Sequence, residues 1–507
     1  MNWKKLQNGS DIRGVALDGI EGEKVNLTAD VVTVLGKSFA SWLRRKNTGK
    51  IKVAVGTDSR LSGPILEKAF IEGLKFMGTE VYQCGLSSTP AMFMTTKDPK
   101  IDATGGVMLT ASHLPFNRNG LKFFTKSGGV DKNDIIEILE IAERGDFQEI
   151  NKEGNVQSIN FIDRYSEFLI DYIRKSTNKK ENYHYPLGGL KIIVDAGNGA
   201  GGFFAEKVLK SLGADIEGSQ FLEPDGRFPN HIPNPENEEA MDSVCQAVKN
   251  SQADLGIIFD TDVDRAAIVT DEGNPVNRND LIAMISAVVL KEHPGSTVVT
   301  DSITSEGLTK FIEEHLHGKH HRFKRGYKNV INEAKRLNEE NEESWLAIET
   351  SGHAALKENF FLDDGAYLVA KLLVEMAKLK AQGKNLKDLI IDLKRPVESK
   401  EFRLSIIDDE FKNYGNQVIN ELTKKVREMP GWEIVSPNYE GLRVSCKNEN
   451  ESGWFLLRLS LHDPVMPVNI ESDVKGGLKN IADKLYAQLT PFDKLDHSPL
   501  AKRSNLI

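Results

Sequence analysis

The sequence predicts an α/β protein: three similar α/β domains with mainly parallel sheets, then a C-terminal α+β domain with an antiparallel sheet. Two observations carry this. The first is an internal repeat of apolar strand, polar turn, amphipathic helix and second strand. It runs KVAVGTDSRLSGPILEKAFIEGLKFMGTEVYQCG from residue 52, LKIIVDAGNGAGGFFAEKVLKSLGADIEG from 190 and STVVTDSITSEGLTKFIEEHLHGKHHRFK from 296. Crossover helices of this kind cover sheets whose strands run parallel. The second is a change of rhythm after about residue 396, where EFRLSI, WEIVS, GLRVSC, GWFLLRLS and PVNIES precede the amphipathic stretch LKNIADKLYAQL. Short alternating segments mark strands with one buried face, and the last stretch a helix laid over them.

The length agrees, because 507 residues exceed the ~250–300 at which one hydrophobic core stops growing. The expected domains are 1–177, 187–292, 293–394 and 396–494, with 178–186 (NKKENYHYP) as a linker and 495–507 as a polar, loosely held tail. A chain 39% hydrophobic and 27% charged is an ordinary globular protein, so disorder is excluded as its main state. Its net charge of -9, with both signs interspersed, gives no reason to expect nucleic acid or an anionic membrane. Cys84, Cys245 and Cys446 are far apart, which suggests neither a disulfide framework nor a thiolate zinc site. MNWKKLQNGSDIRG lacks the apolar region of a signal peptide, and no stretch approaches ~18 apolar residues. The expectation is a cytoplasmic protein.

A third apolar strand follows each repeat: GVMLT before Ala111 and Ser112, DLGIIF before Asp260, and WLAI before Glu349. In open α/β sheets the carboxyl ends of strands form the ligand crevice. Three chemically loaded loops therefore occupy equivalent places. In TASHLPFNRNGLKFF, Ser112 stands on a loop between apolar runs. IIFDTDVDR sets Asp260, Asp262 and Asp264 at spacing two, which in extended backbone aims three carboxylates one way. A hard divalent cation would relieve their repulsion. An EF-hand is excluded, since Arg265 stands where that loop needs glycine. AIETSGH supplies Glu349, Ser351 and His353, a carboxylate and hydroxyl for sugar hydroxyls and an imidazole that titrates near neutrality.

Candidate anion binders are Arg13 in SDIRG, Arg60 in GTDSR, Lys328 in RGYKN, and Arg458 with Ser460 at the end of an apolar strand. A bidentate guanidinium suits a phosphate. The loop DAGNGAGG offers a competing reading, since Gly197, Gly199 and Gly202 fit a dinucleotide fingerprint and Glu217 lies where a ribose-binding carboxylate is expected.

Taken together, these motifs resemble the α-D-phosphohexomutase superfamily, which includes phosphomannomutase, phosphoglucomutase and phosphoglucosamine mutase. TASHLP resembles the family's phosphoserine loop TASHNP, DTDVDR its metal loop D-G-D-G-D-R, and IETSGH its sugar loop G-E-x-S-G-H. The resemblance covers nearly the whole chain in the right order, and it implies that the three α/β domains and the C-terminal α+β domain are arranged around a central active-site cleft. It implies phosphoryl transfer from Ser112 to a hexose phosphate, through a bound hexose 1,6-bisphosphate that turns over and returns its other phosphate. It implies Mg²⁺ on Asp260, Asp262, Asp264 and a phosphoserine oxygen of Ser112, with Arg265 and Arg13 in the catalytic set. Lys122 and His353 are then proton-transfer candidates. Glu349 and Ser351 would grip sugar hydroxyls, while Lys328, Arg458, Ser460 and His462 would hold phosphate. The partner expected is a small sugar phosphate, and the assembly a monomer or homodimer. A phosphoglucosamine mutase and a catalytically impaired sugar-phosphate-binding homologue stay open as alternatives. Several positions depart from the pattern: RLSLHDP replaces R-P-S-G-T-E-P, placing Leu461 and His462 in the phosphate loop, Leu114 replaces asparagine, Thr350 stands at a substrate-class position, and Asn279-Asp280 replaces G-D. They point to an outlying branch.

Overall fold

The computed structural model describes residues 2–147, 152–178, 182–460 and 463–501. The chain forms two compact units, Met1–Val288 with Trp345–Ile390, and Val289–Ser344 with Ile391–Ile507.

In the first unit, the first repeat builds a sheet whose centre is parallel: strand Lys52–Thr57 lies between Gly105–Leu109 and Glu80–Leu86. Helix Ala29–Lys46 starts at a Thr28 cap and buries Val32, Leu35, Phe39 and Leu43, the i, i+3, i+4 stripe of a core-facing helix. Phe39 meets Phe70 and Phe123 with ring centroids 6.4 and 4.7 Å away. Each such ring adds ~1.5–3 kcal/mol by leaving water. Helix Gly63–Phe76 packs so closely on the first helix that a Cβ on Gly36 would lie 2.4 Å from Phe70 O; a larger residue there would force the helices apart.

The expected mainly parallel sheets are in fact mixed, and the reason is topological. Gly105–Leu109 is followed by its antiparallel neighbour Arg118–Thr125, Leu255–Phe259 by Ala266–Thr270, and Ser344–Ile348 by Ala354–Leu356. A loop of a few residues can join only antiparallel neighbours, whereas parallel ones need a long crossover. The same loops that carry the candidate chemistry thus reverse the chain in every repeat.

Helix Gly365–Lys380 is buried on nearly all sides, and its cap Asp364 accepts from Tyr367 N at 2.8 Å, Tyr165 Oη at 2.6 Å and Asn359 Nδ2 at 2.9 Å. That carboxyl, pushed up to about 6 by burial, anchors the segment that follows the third loop.

In the second unit, strand Thr297–Thr300 pairs in parallel with Lys319–Arg322. The C-terminal domain is a six-stranded sheet in the order Trp432–Ile434, Leu442–Cys446, Gly453–Leu457, Val465–Ser472, Glu398–Ile406, Leu495–Asp496, with every pairing antiparallel. The expected helix Gly477–Leu489 contributes to its core, and so does Phe411–Val426. Arg443 is buried, lies 3.7 Å from the Trp454 ring centroid and donates to Ser302 O at 2.8 Å, Thr304 O at 2.9 Å and Glu306 at 3.0 Å. The expected loose tail is corrected in its first part: Leu495 and Leu500 are buried in the domain's core, because Leu495 pairs with Ile406 as an edge strand and the short helix Ser498–Ala501 that follows turns Leu500 inward. Residues 502–507 lie outside the described residues. Among the described residues no helix is long and apolar enough to cross a membrane.

Candidate active site

Ser112, Lys122, Asp260, Asp262, Asp264, Arg265, Arg13 and His353 gather in the first unit. Ser112 is buried and held at a φ of +49°, a left-handed conformation uncommon outside glycine. Its hydroxyl donates to Asp260 Oδ2 at 2.8 Å and accepts from Arg265 Nη2 at 2.7 Å. The three aspartates follow strand Leu255–Phe259, all essentially without exposure. Val263, where the family motif has glycine, takes a φ of +66°; a β-branched residue there stores strain of ~1–3 kcal/mol, and the loop is bent sharply enough to turn all three carboxylates inward. Arg265 stands just before the return strand Ala266–Thr270, bridges to His353, and comes so near Gly365 that a Cβ there would stand 2.7 Å from Arg265 C.

Three buried carboxylates face two cations. Lys122 Nζ donates to Asp262 Oδ2 at 3.0 Å and to Asp264, and Arg265 pairs with Asp260 at 3.1 Å. Burial, then the charges of Asp264 and Asp262, drive the Asp260 carboxyl well above its usual range. Burial also opposes ionisation of Asp264, but Lys122, His353 and Arg265 outweigh it and hold that group low. The three aspartates offer oxygens within 4.8 Å of one another, and Asp262 Oδ1 and Asp264 Oδ1 are buried without a hydrogen bond. Hard oxygen donors with unused lone pairs suit a divalent cation such as Mg²⁺, so the residues fit the ion the motif calls for.

His353 Nδ1 stands 2.5 Å from Asp363 Oδ2 and 3.9 Å from Asp264. Burial alone would lower its pKa, yet the two carboxylates raise it to about 9, which favours the protonated imidazole. His113 is the opposite: burial, then Arg265 and Arg13, press it down to about 2. It is a neutral acceptor for Arg265 Nη2, which suits a loop-shaping residue and not a base. Arg13 pairs with Asp11 at 3.1 Å and reaches Ala111 O at 3.4 Å. Glu349 and Ser351 are buried on the third loop, and the Ser351 hydroxyl makes no hydrogen bond.

Other expectations are placed elsewhere. Arg60 is no anion binder; it is fully buried and bonded to backbone carbonyls. The glycine loop is a packing device: a Cβ on Gly199 would lie 2.7 Å from Thr261 O and one on Gly202 2.4 Å from Leu222 O, so these glycines admit backbone, which removes the need for a dinucleotide to explain them. Lys328 opens helix Tyr327–Glu339 in the second unit. In that unit Arg458 is buried, its Nε makes no hydrogen bond, and its pKa is lowered by burial and by Arg325. Ser460 Oγ accepts from Asp463 N at 3.3 Å. Leu461 and His462 lie outside the described residues.

The family assignment rests on models and relatives that span the chain. Three models match in order: phosphoglucomutase/phosphomannomutase alpha/beta/alpha domain I over residues 4–149, domain II over 163–273 and domain III over 277–396. A phosphomannomutase/phosphoglucomutase of Pseudomonas syringae is 32% identical over 482 residues, 94% of each chain. The chain belongs to the α-D-phosphohexomutase superfamily. A phosphoglucomutase of Neisseria gonorrhoeae is 30% identical over 94% of this chain and 95% of its own. A crystal structure of a phosphoglucomutase/phosphomannomutase family protein from Burkholderia thailandensis superposes with a TM-score of 0.78 at 26% identity, over 96% of this chain and 98% of that one.

Three further residues of this phosphohexomutase site escaped the sequence reading. Asp363 pairs with His353 across a ten-residue gap in sequence. Asn234 Oδ1 accepts from Arg265 Nη1 at 3.2 Å, on a loop pinned by a buried ion pair of His231 with Asp195 at 3.0 Å. Thr89 Oγ donates to Asp262 Oδ2 at 2.5 Å. The only local signal was polarity beside an apolar run, as in FLDDG and LSSTP, which marks turns as often as sites.

Proposed function

We propose that this chain interconverts hexose 1-phosphate and hexose 6-phosphate as a phosphomannomutase/phosphoglucomutase, with Ser112 as the phosphoryl carrier. The observation that carries this reading is the Ser112 hydroxyl held between Asp260 and Arg265 at 2.8 and 2.7 Å. In the forward half-reaction a sugar hydroxyl attacks the phosphorus of phosphoserine 112. The new O–P bond forms as the Ser112 Oγ–P bond breaks, its electron pair returns to Oγ, and the sugar proton passes to a basic group of the site. The product is a hexose 1,6-bisphosphate, which reverses its orientation and gives its other phosphate back to Ser112.

Bound at Asp260, Asp262 and Asp264, Mg²⁺ supplies positive charge against the phosphoryl oxygens. Arg265 is assigned to steady the transferring group, and Arg13, beside Ala111 O, to the same end of the site. His353, paired with Asp363, is suited to give a proton to a departing oxygen, and Lys122, beside Asp262 and Asp264, to accept or return one. Glu349 and Ser351 are the sugar-hydroxyl contacts in this scheme. Arg458, Ser460 and Lys328 are assigned to the phosphate that is not reacting.

The test is Ser112→Ala. Turnover of glucose 1-phosphate and mannose 1-phosphate should vanish while the unfolding midpoint is kept; a variant that still interconverts them removes Ser112 from the carrier role. Glucosamine phosphates in the same panel assign the sugar.

A further inference from the structure

Arg60 sits after the first strand of the first repeat, and its side chain has no exposure at all. Its guanidinium is spent on one loop. Nη1 donates to Pro115 O at 2.8 Å and Arg118 O at 2.9 Å, while Nη2 donates to Leu114 O at 2.6 Å and to Ser112 O. Nε faces Asp58 Oδ2 at 3.3 Å. The planar fork thus meets four carbonyls of the loop 112–118, and the fifth donor, Nε–H, makes no hydrogen bond and is buried facing the Asp58 carboxylate. Asp58 completes the clamp from the other side: its backbone N–H bonds Leu109 O at 3.1 Å, and its carboxylate faces the Thr110 hydroxyl, which accepts Ser112 N–H at 2.9 Å. Both peptide groups of Ser112 are therefore fixed, one through Thr110 and one by Arg60. Behind the guanidinium the Phe228 ring lies 5.3 Å away, and Gly226 comes close enough that a Cβ would stand 2.4 Å from Ser59 O.

A serine does not rest in a left-handed conformation by preference. A buried, always-charged donor that bonds the carbonyls on and after Ser112 favours that backbone over the extended alternative, which would turn those carbonyls away. We propose that Arg60 is a positioning residue for phosphoryl transfer: it holds Ser112 at its positive φ, and so holds Oγ on the line between Asp260 and Arg265. This rests on Ser112 being the carrier. Arg60 touches no substrate; it acts through the loop, so its loss should slow the transfer step while leaving sugar-phosphate binding in place.

Arg60→Lys tests this, since an ammonium keeps the charge beside Asp58 but cannot span four carbonyls in one plane. Steady-state kinetics with glucose 1-phosphate, and the rate at which glucose 1,6-bisphosphate phosphorylates Ser112 by intact mass, should both be compared with wild type. The expected result is kcat and the phosphorylation rate reduced at least tenfold, KM within about threefold, and a folded protein by circular dichroism. Thr110→Val, which removes the acceptor for Ser112 N–H with little change of volume, should show the same split and stands in if Arg60→Lys does not fold. Wild-type kcat in a folded Arg60→Lys, or a loss confined to KM, overturns the proposal. Ser112→Ala run beside it separates the two ideas: activity in that variant refutes the carrier, whereas its inactivity with full activity in Arg60→Lys refutes only the role of Arg60.

Discussion

Replacing Asp363 by asparagine keeps the shape of the side chain and removes one charge. In the native site Asp363 Oδ2 lies 2.5 Å from His353 Nδ1, and its charge is the leading influence that raises the imidazole, against burial, to about 9. A hydrogen bond between charged groups contributes ~1.5–3 kcal/mol, and ~1.4 kcal/mol is a factor of ten. If the pair is needed to orient and charge His353 in the transition state, Asp363→Asn should lower kcat by roughly 10- to 150-fold. The assay couples formation of glucose 6-phosphate from glucose 1-phosphate to its dehydrogenase, with His353→Ala and the double variant alongside. Because Asp363 acts through His353, the double variant should be no slower than His353→Ala alone. A single variant within threefold of wild type, or additive losses in the double variant, would refute the reasoning.

Two further predictions concern stability. Arg443→Met should destabilise the second unit by ~2–4 kcal/mol, because it leaves two carbonyls, Ser302 O and Thr304 O, without their donor at ~1–3 kcal/mol each, while Glu306, 40% exposed and still paired with Arg322, adds little; urea unfolding followed by tryptophan fluorescence reads it, and an unchanged midpoint counts against the clamp. The pH dependence of the His231 pair has a definite sign. Burial lowers the His231 pKa, but the hydrogen bond and charge of Asp195 more than offset it and the net shift is upward. A group whose folded pKa is raised contributes stability that is fully present below its unfolded pKa of ~6.5 and is lost as pH rises through the folded value. The difference in thermal midpoint between wild type and His231→Asn should therefore be largest near pH 6 and shrink toward pH 9, and a difference that grows with pH contradicts the assignment.

The sequence by itself determined the repeat, the places of the three loops, and the nucleophile and acidic triad, because each of these is local. A strand, its turn and the polar residues at its end lie within about ten positions of one another, and periodicity plus residue type describe them. Ser112, Asp260, Asp262, Asp264 and His353 could be named on that basis, and so could the alternating strands of the last domain. The sheets' mixed direction was legible in principle, since GVMLT and LKFF are separated by too short a loop for a crossover, but the repeat's helices pointed the other way.

Only the tertiary structure decided what depends on distance along the chain. Arg60 and Lys328 look alike in sequence as exposed cations near turns, yet the fold buries Arg60 beneath four carbonyls more than fifty residues away. His113 and His353 both lie within two residues of a serine, and burial presses both down; their opposite net shifts follow from which neighbours the fold adds, arginines for His113 and carboxylates for His353. Lys122 became the counter-ion of Asp262 and Asp264 across 140 and 142 residues. Electrostatic energy depends on separation in space and on exclusion of water, and neither quantity is written in the order of the residues.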